Sequence, residues 1–208
     1  MNPYPLPPVT LTVLDMAGTA VFAVSGALVA ARARQTLVTF MFFAAATGVG
    51  GGTLRDLLIG APVFWMHDPT AITICLCMAL VVWWTPERLW SARAIDWFDG
   101  LGLAAYAVYG SAKAQSAGIP VVPAVLMGVT TGCMGGIFRD VLAGVPSIVI
   151  RPELYVTAAA LASGTFVVAS ALGLSATPAA LLAFVLGFGL RAVAISRHIS
   201  LPAYRGTR

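Results

Sequence analysis

Two Arg-Asp pairs fall where charges are costly. Arg55-Asp56 and Arg139-Asp140 each close a glycine-rich run inside an apolar stretch, GGGTLRD at 50–56 and MGGIFRD at 134–140. Well inside a bilayer-spanning helix an Arg or Asp costs about 2.5 to 3.5 kcal/mol even on lenient insertion scales, so each needs a partner or a wet cavity. Asp15, Asp99 and Lys113 are further charges in apolar surroundings. Charges so placed handle an ion or a polar substrate along a hydrated path, or else clamp helices together. Enzyme chemistry has no comparable footing. The two histidines, His67 and His198, lie outside the apolar runs, and no nucleophile has a base at workable spacing. Cys75 and Cys77 point about 200° apart on a helix, and Cys133 sits alone among glycines. Neither a metal set, a disulfide framework nor a cofactor is expected.

A membrane domain must position these charges. Of 208 residues 59% are hydrophobic and only 10% charged, unlike a soluble domain. A span needs about 20 mostly apolar residues. Seven spans are predicted, at about 10–31, 37–60, 69–85, 98–117, 120–145, 153–173 and 178–196, and the short connections leave one membrane domain over 1–208. Residues 1–9 carry no Lys or Arg, so the positive n-region of a cleaved signal is missing and the first span is expected to stay. The net charge of +4 would suggest nucleic acid in a soluble protein, but topology accounts for it. Arg32, Arg34, Arg88, Arg93, Arg151, Arg197, Arg205 and Arg208 share one side if the seven spans alternate, whereas the loops at 61–68, 118 and 174–177 contain no Lys or Arg. The N-terminus is therefore expected outside and the C-terminus in the cytoplasm, with no nucleic-acid partner. Trp65, Trp83, Trp84, Trp90 and Trp97 fall at or beside span ends, where amphipathic rings meet headgroups.

The chain also repeats itself. Shifted by 84 residues, TGVGGGTLRDLLIGAP at 47–62 lies over TGCMGGIFRDVLAGVP at 131–146, with nine of sixteen positions identical. The same shift pairs Asp15 with Asp99, Gly18 with Gly102 and Gly26 with Gly110. Chance similarity between glycine-rich helices does not explain a shared Arg-Asp pair in a common register. Each unit of three spans holds an odd number, so the second copy enters the membrane from the opposite side. The expected architecture is all-α: inverted three-helix repeats at 10–94 and 95–176, a seventh helix at 177–196 and a cytoplasmic tail at 197–208.

Inverted repeats commonly frame a pathway lined by interrupted helices. Gly costs about 1 kcal/mol against Ala in a helix interior, so Gly48, Gly50, Gly51 and Gly52, answered by Gly132, Gly135 and Gly136, are expected to make hinges facing a cavity. Close helix packing is the alternative, and Gly48/Gly52 have its spacing. Neighbouring residues project about 100° apart on a helix, so Arg55 is expected to pair with Asp15 rather than Asp56, and Arg139 with Asp99. One polar cluster would then lie at each mouth. Lys113, whose counterpart is Val29, breaks the symmetry and either tunes a cation path or snorkels to the interface. Tyr109 stands against Ser25, and Thr47 and Thr131 bring hydroxyls beside the glycines. Arg191 could snorkel, meet an anionic headgroup or join the inner cluster.

The doubled motif, on the second and fifth of seven spans, resembles that of the trimeric intracellular cation channels, and closely their prokaryotic members. The likeness runs from about Thr10 to Arg197. It implies a homotrimer in the cell inner membrane, with a pore inside each protomer lined by glycine-kinked helices two and five and passing potassium and sodium. Met134, where the first copy has Gly50, departs from symmetrical kinking. Relatives with this domain are also credited with transport of small amino acids such as glycine, so two mechanisms compete. A channel passes cations along a fixed path, whereas a transporter rocks around a zwitterion. The concentration of polar features toward the two mouths favours the channel.

Overall fold

The computed structural model describes residues 9–202, so Arg205, Arg208 and most of the segment 1–9 lie outside the described residues. Eight α-helices occur among them: α1 (Val9–Arg32), α2 (Leu37–Leu58), α3 (Phe64–His67), α4 (Thr70–Trp84), α5 (Ala94–Ser116), α6 (Val121–Leu142), α7 (Val156–Ala171) and α8 (Ala176–Arg197). Seven match the expected spans, and α3 is a single turn inside the expected loop at 61–68. By length and apolarity α1, α2, α6 and α8 can cross a membrane. Thr70–Trp84 and Val156–Ala171 are apolar but have only 15 and 16 residues. At 1.5 Å per residue each is about 22–24 Å long, short of a ~30 Å hydrocarbon core. Each is preceded by a folded connection, α3 in one case and a 3-10 turn, Ile148–Ile150, in the other. Helix α5 is long enough at 23 residues but carries Asp96, Asp99 and Lys113.

Small residues let these helices approach. Helix α1 packs on α2, α4 and α5; α5 packs on α6, α7 and α8; α2 crosses α6. The crossings obey the 84-residue shift. A Cβ on Gly51 would collide with the Thr131 carbonyl oxygen, and one on Gly135 would stand 2.8 Å from that of Thr47. Likewise Gly18 lies against the Tyr106 ring and Gly102 against the Phe22 ring. Each contact thus recurs with the two units exchanged, the signature of a two-fold relation. The expected interruption of the glycine helices is not present, because α2 and α6 are helical throughout their 22 residues. Gly48, Gly51, Gly132 and Gly135 face a neighbouring backbone carbonyl, as small residues do between membrane helices, whereas Gly50, Gly52 and Gly136 face the side chains of Phe138, Phe64 and Tyr155. Left-handed backbone comes later, at Gly60 (φ +68°) and Gly144 (φ +66°), which follow α2 and α6.

Candidate functional site

Helices α1, α2, α5 and α6 enclose a buried polar line. At its middle Tyr106 Oη lies 2.5 Å from Thr19 Oγ1 and donates to the Gly48 carbonyl at 3.0 Å. The Phe22 ring lies 5.5 Å from that of Tyr106, and both side chains are fully buried. Thr131 Oγ1 donates to its own helix at Met127, whereas buried Thr47 Oγ1 has no partner. Among the other hydroxyls, Thr53 accepts from Trp65 Nε1, and Thr130 bonds back to Leu126.

One polar set lies at the end of α2. Arg55 and Asp56 are both fully buried, and Arg55 Nε and Nη2 each stand 2.8 Å from Asp56 Oδ1. Lys113 Nζ from α5 reaches the same oxygen at 2.8 Å. Asp56 Oδ2 accepts the Phe64 backbone N–H at 3.1 Å and so fixes the start of α3. The Arg55 guanidinium stacks 5.0 Å from the Tyr109 ring centre and 5.7 Å from that of Phe64. Buried Asp15 Oδ1 and Arg55 Nη1 have no hydrogen-bond partner.

The second set, at the end of α6, repeats this plan. Arg139 Nε and Nη2 hold Asp140 Oδ1 at 2.9 and 2.8 Å, and Asp140 Oδ2 accepts the Ile148 N–H at 2.7 Å. Phe64 and Ile148 are again 84 residues apart. Arg139 Nη1 also reaches Asp99 Oδ1 and, at 2.6 Å, Ser25 Oγ. A cavity of about 450 Å³ opens onto this set, lined by Arg139 and Asp140 with Arg32, Asp96 and Arg151.

The expected Arg139–Asp99 pair is therefore present, but the Arg55–Asp15 pair is not. Arg55 folds onto Asp56, as Arg139 also does onto Asp140. The 100° offset between neighbours governs Cβ directions, and a guanidinium on a long flexible stem bends back across it. Symmetry fails on one side because Tyr109 stands where the other side has Ser25. A ring covers the Arg55 face, while a small hydroxyl leaves Arg139 open to Asp99. Lys113 does not stand alone but pairs with Asp56.

Four participants had no signal in the motif: the Phe64 and Ile148 N–H groups, Tyr106, and Tyr155. Only their 84-residue relation, or pairing of Tyr106 with Phe22, pointed to three of them. Tyr155 Oη lies beside Gly136, close to the Asp99 carboxylate. Arg191, fully buried on α8, pairs with Glu153 Oε2 at 2.8 Å and stacks 5.3 Å from the Tyr155 ring centre. Through Tyr155 it lies beside the set at the end of α6. Cys75, Cys77 and Cys133 are all free.

Comparison with known proteins finds relatives in both sequence and fold. The Glycine transporter family profile matches the chain twice, at residues 12–87 and 96–171. A UPF0126 membrane protein of Vibrio cholerae is 40% identical over 205 residues, 95% of this chain and 84% of the relative. The UPF0126 inner membrane protein YadS of Escherichia coli K12 is 37% identical, covering 92% of this chain and 94% of the relative. The crystal structure of the trimeric intracellular cation channel orthologue from Rhodobacter sphaeroides superposes with a TM-score of 0.85 at 37% identity, covering 93% of this chain and 100% of that one. A second solved structure, described as showing conductance through such channels, gives 0.83 at 26% identity over 95% and 98% of the two chains.

Proposed function

This chain belongs to the prokaryotic branch of the trimeric intracellular cation channel family, and we propose that it is a passive pathway for monovalent cations, potassium and sodium, across the cell inner membrane. Seven helices cross the bilayer with the N-terminus outside and the C-terminus in the cytoplasm, as inverted repeats followed by α8. Three copies assemble, and each protomer carries its own path between α1, α2, α5 and α6. The observation that carries this reading is the pair of matched Arg-Asp sets at opposite ends of a polar line whose middle is closed by Tyr106 and Phe22. Fully buried side chains at that level leave no passage for water, so conduction requires movement there. Gly48, Gly50, Gly51 and Gly52 with Gly132, Gly135 and Gly136 let α2 and α6 slide or bend as that section opens. Lys113 sets the field at the outer mouth, and surrounding lipid is the solvent of the outer faces.

A second reading, a transporter of a small amino acid, draws on one observation. Arg55 Nη1 and Asp15 Oδ1 are buried near one mouth without partners, and they offer a carboxylate and an ammonium their counterparts.

Thallium uptake into potassium-loaded proteoliposomes separates the two. The channel reading expects uptake that follows the gradient and is indifferent to added glycine. Lys113→Met removes one positive charge from the outer mouth and should speed uptake several-fold at low salt, less at high salt. Absence of thallium flux together with saturable uptake of labelled glycine would establish the transporter instead.

A further inference from the structure

A second cavity, of about 690 Å³, shares Arg32 with the first and lies between the end of α1, the start of α2 and the end of α4. Its wall is divided by chemistry. Arg32 and Arg34 stand on one side, and Phe40, Val82, Trp83 and Trp90 on the other. At the nearby start of α2 the Thr36 side chain accepts the Thr39 N–H, so the helix is already capped there. Arg32 Nη2 is tied to the Ser91 and Ala92 carbonyls, which fixes its position. Arg34 is exposed, and no hydrogen bond or ion pair among the described residues holds its side chain.

Two features mark the lining as more than a consequence of the fold. Arg34 has left-handed backbone (φ +51°), a conformation that favours glycine, and 84 residues on, the matching position is Gly118 (φ +78°). The fold thus accepts glycine at this turn, and one repeat keeps a strained arginine instead. The rest of the corresponding region in the second repeat is bare: neither the turn Ser116–Pro120 nor the end of α7 from Thr165 to Ser175 contains an Arg, Glu or Trp.

We propose that this cavity binds the phosphodiester headgroup of an anionic phospholipid. The arginines meet the phosphate, and an acyl chain lies along Phe40, Val82 and Trp83. A headgroup seated there would put the rings of Trp83 and Trp90, both in the lining, beside it, where interfacial tryptophans are favoured. Glu87, also on the rim, favours a headgroup that carries hydroxyls beyond its phosphate, such as glycerol, over a second anionic group.

The purified full chain in symmetric vesicles of mixed phosphatidylglycerol and phosphatidylcholine tests this, with dibrominated chains on one lipid or the other to quench tryptophan. Symmetric vesicles make the result independent of orientation and of whether the protein conducts. Brominated phosphatidylglycerol should quench more strongly, with an enrichment of roughly fivefold per arginine, the equivalent of about 1 kcal/mol each. Arg34→Gly should fold at least as well as the parent, because it relieves the strained turn, yet lose its share of the preference. Arg32→Gln combined with it should lose the remainder. Added inorganic phosphate should not reduce quenching. Equal quenching by both lipids, an unchanged preference in the Arg34→Gly and double variants, or displacement by inorganic phosphate would each overturn the proposal.

Discussion

An arginine followed by an aspartate on a membrane helix is a structural unit as much as a pair of charges. In both copies one carboxylate oxygen takes the guanidinium and the other takes a backbone N–H eight residues on. The aspartate therefore neutralises a buried cation and shapes the connection that follows the helix. Removing one partner of a buried pair leaves an uncompensated charge, a loss of about 3 to 5 kcal/mol. Asp140→Asn and Asp56→Asn should each lower the thermal unfolding midpoint of the purified protein, Asp56→Asn toward the larger value because Arg55 and Lys113 both depend on that carboxylate. Glu153→Gln leaves the fully buried Arg191 without its carboxylate and should also lower the midpoint, by less than Asp56→Asn because Glu153 is itself partly exposed. A parent-like midpoint for Asp56→Asn would show that the unit does not hold the fold together.

At the scale of the helix, glycine has two uses that sequence alone leaves open, hinge and contact. The structure places Gly51 and Gly135 against the opposing carbonyls of Thr131 and Thr47, so contact is certain, and bending is left to the working cycle. Gly51→Ala and Gly135→Ala should destabilise by more than 1 kcal/mol, since neither backbone can retreat. Gly164→Ala and Gly189→Ala, where a Cβ would meet nothing within 4 Å, should be neutral or slightly stabilising through helix propensity. Comparing the four unfolding midpoints checks this, and equal effects would contradict it. Much at this scale was legible beforehand. Apolar length located the long helices, and the 84-residue register located the matching charges and the Arg139–Asp99 pair. The register could not show that Arg55 turns from Asp15, because that choice rests on a ring at Tyr109 in place of the hydroxyl at Ser25, a three-dimensional crowding. Nor did span length reveal the single turn at Phe64–His67, which exists because Asp56 captures its first N–H.

The whole molecule is two copies of one unit related by exchange, closed at the middle and braced by α8. Its symmetry is broken in three places that bear on function: Lys113 at one mouth, the Arg191–Glu153 pair beside the other, and the cationic cavity kept by one repeat only. A path with matched sets at both ends suits a permeant ion that must leave as readily as it arrives, and the aromatic closure makes opening a conformational step. Recording from purified protein in a planar bilayer under a potassium gradient tests the central claim most directly. Discrete, ohmic current steps reversing near the potassium equilibrium potential, and not displaced by added glycine, are expected. Electrically silent bilayers containing protein that takes up labelled glycine saturably would contradict the account.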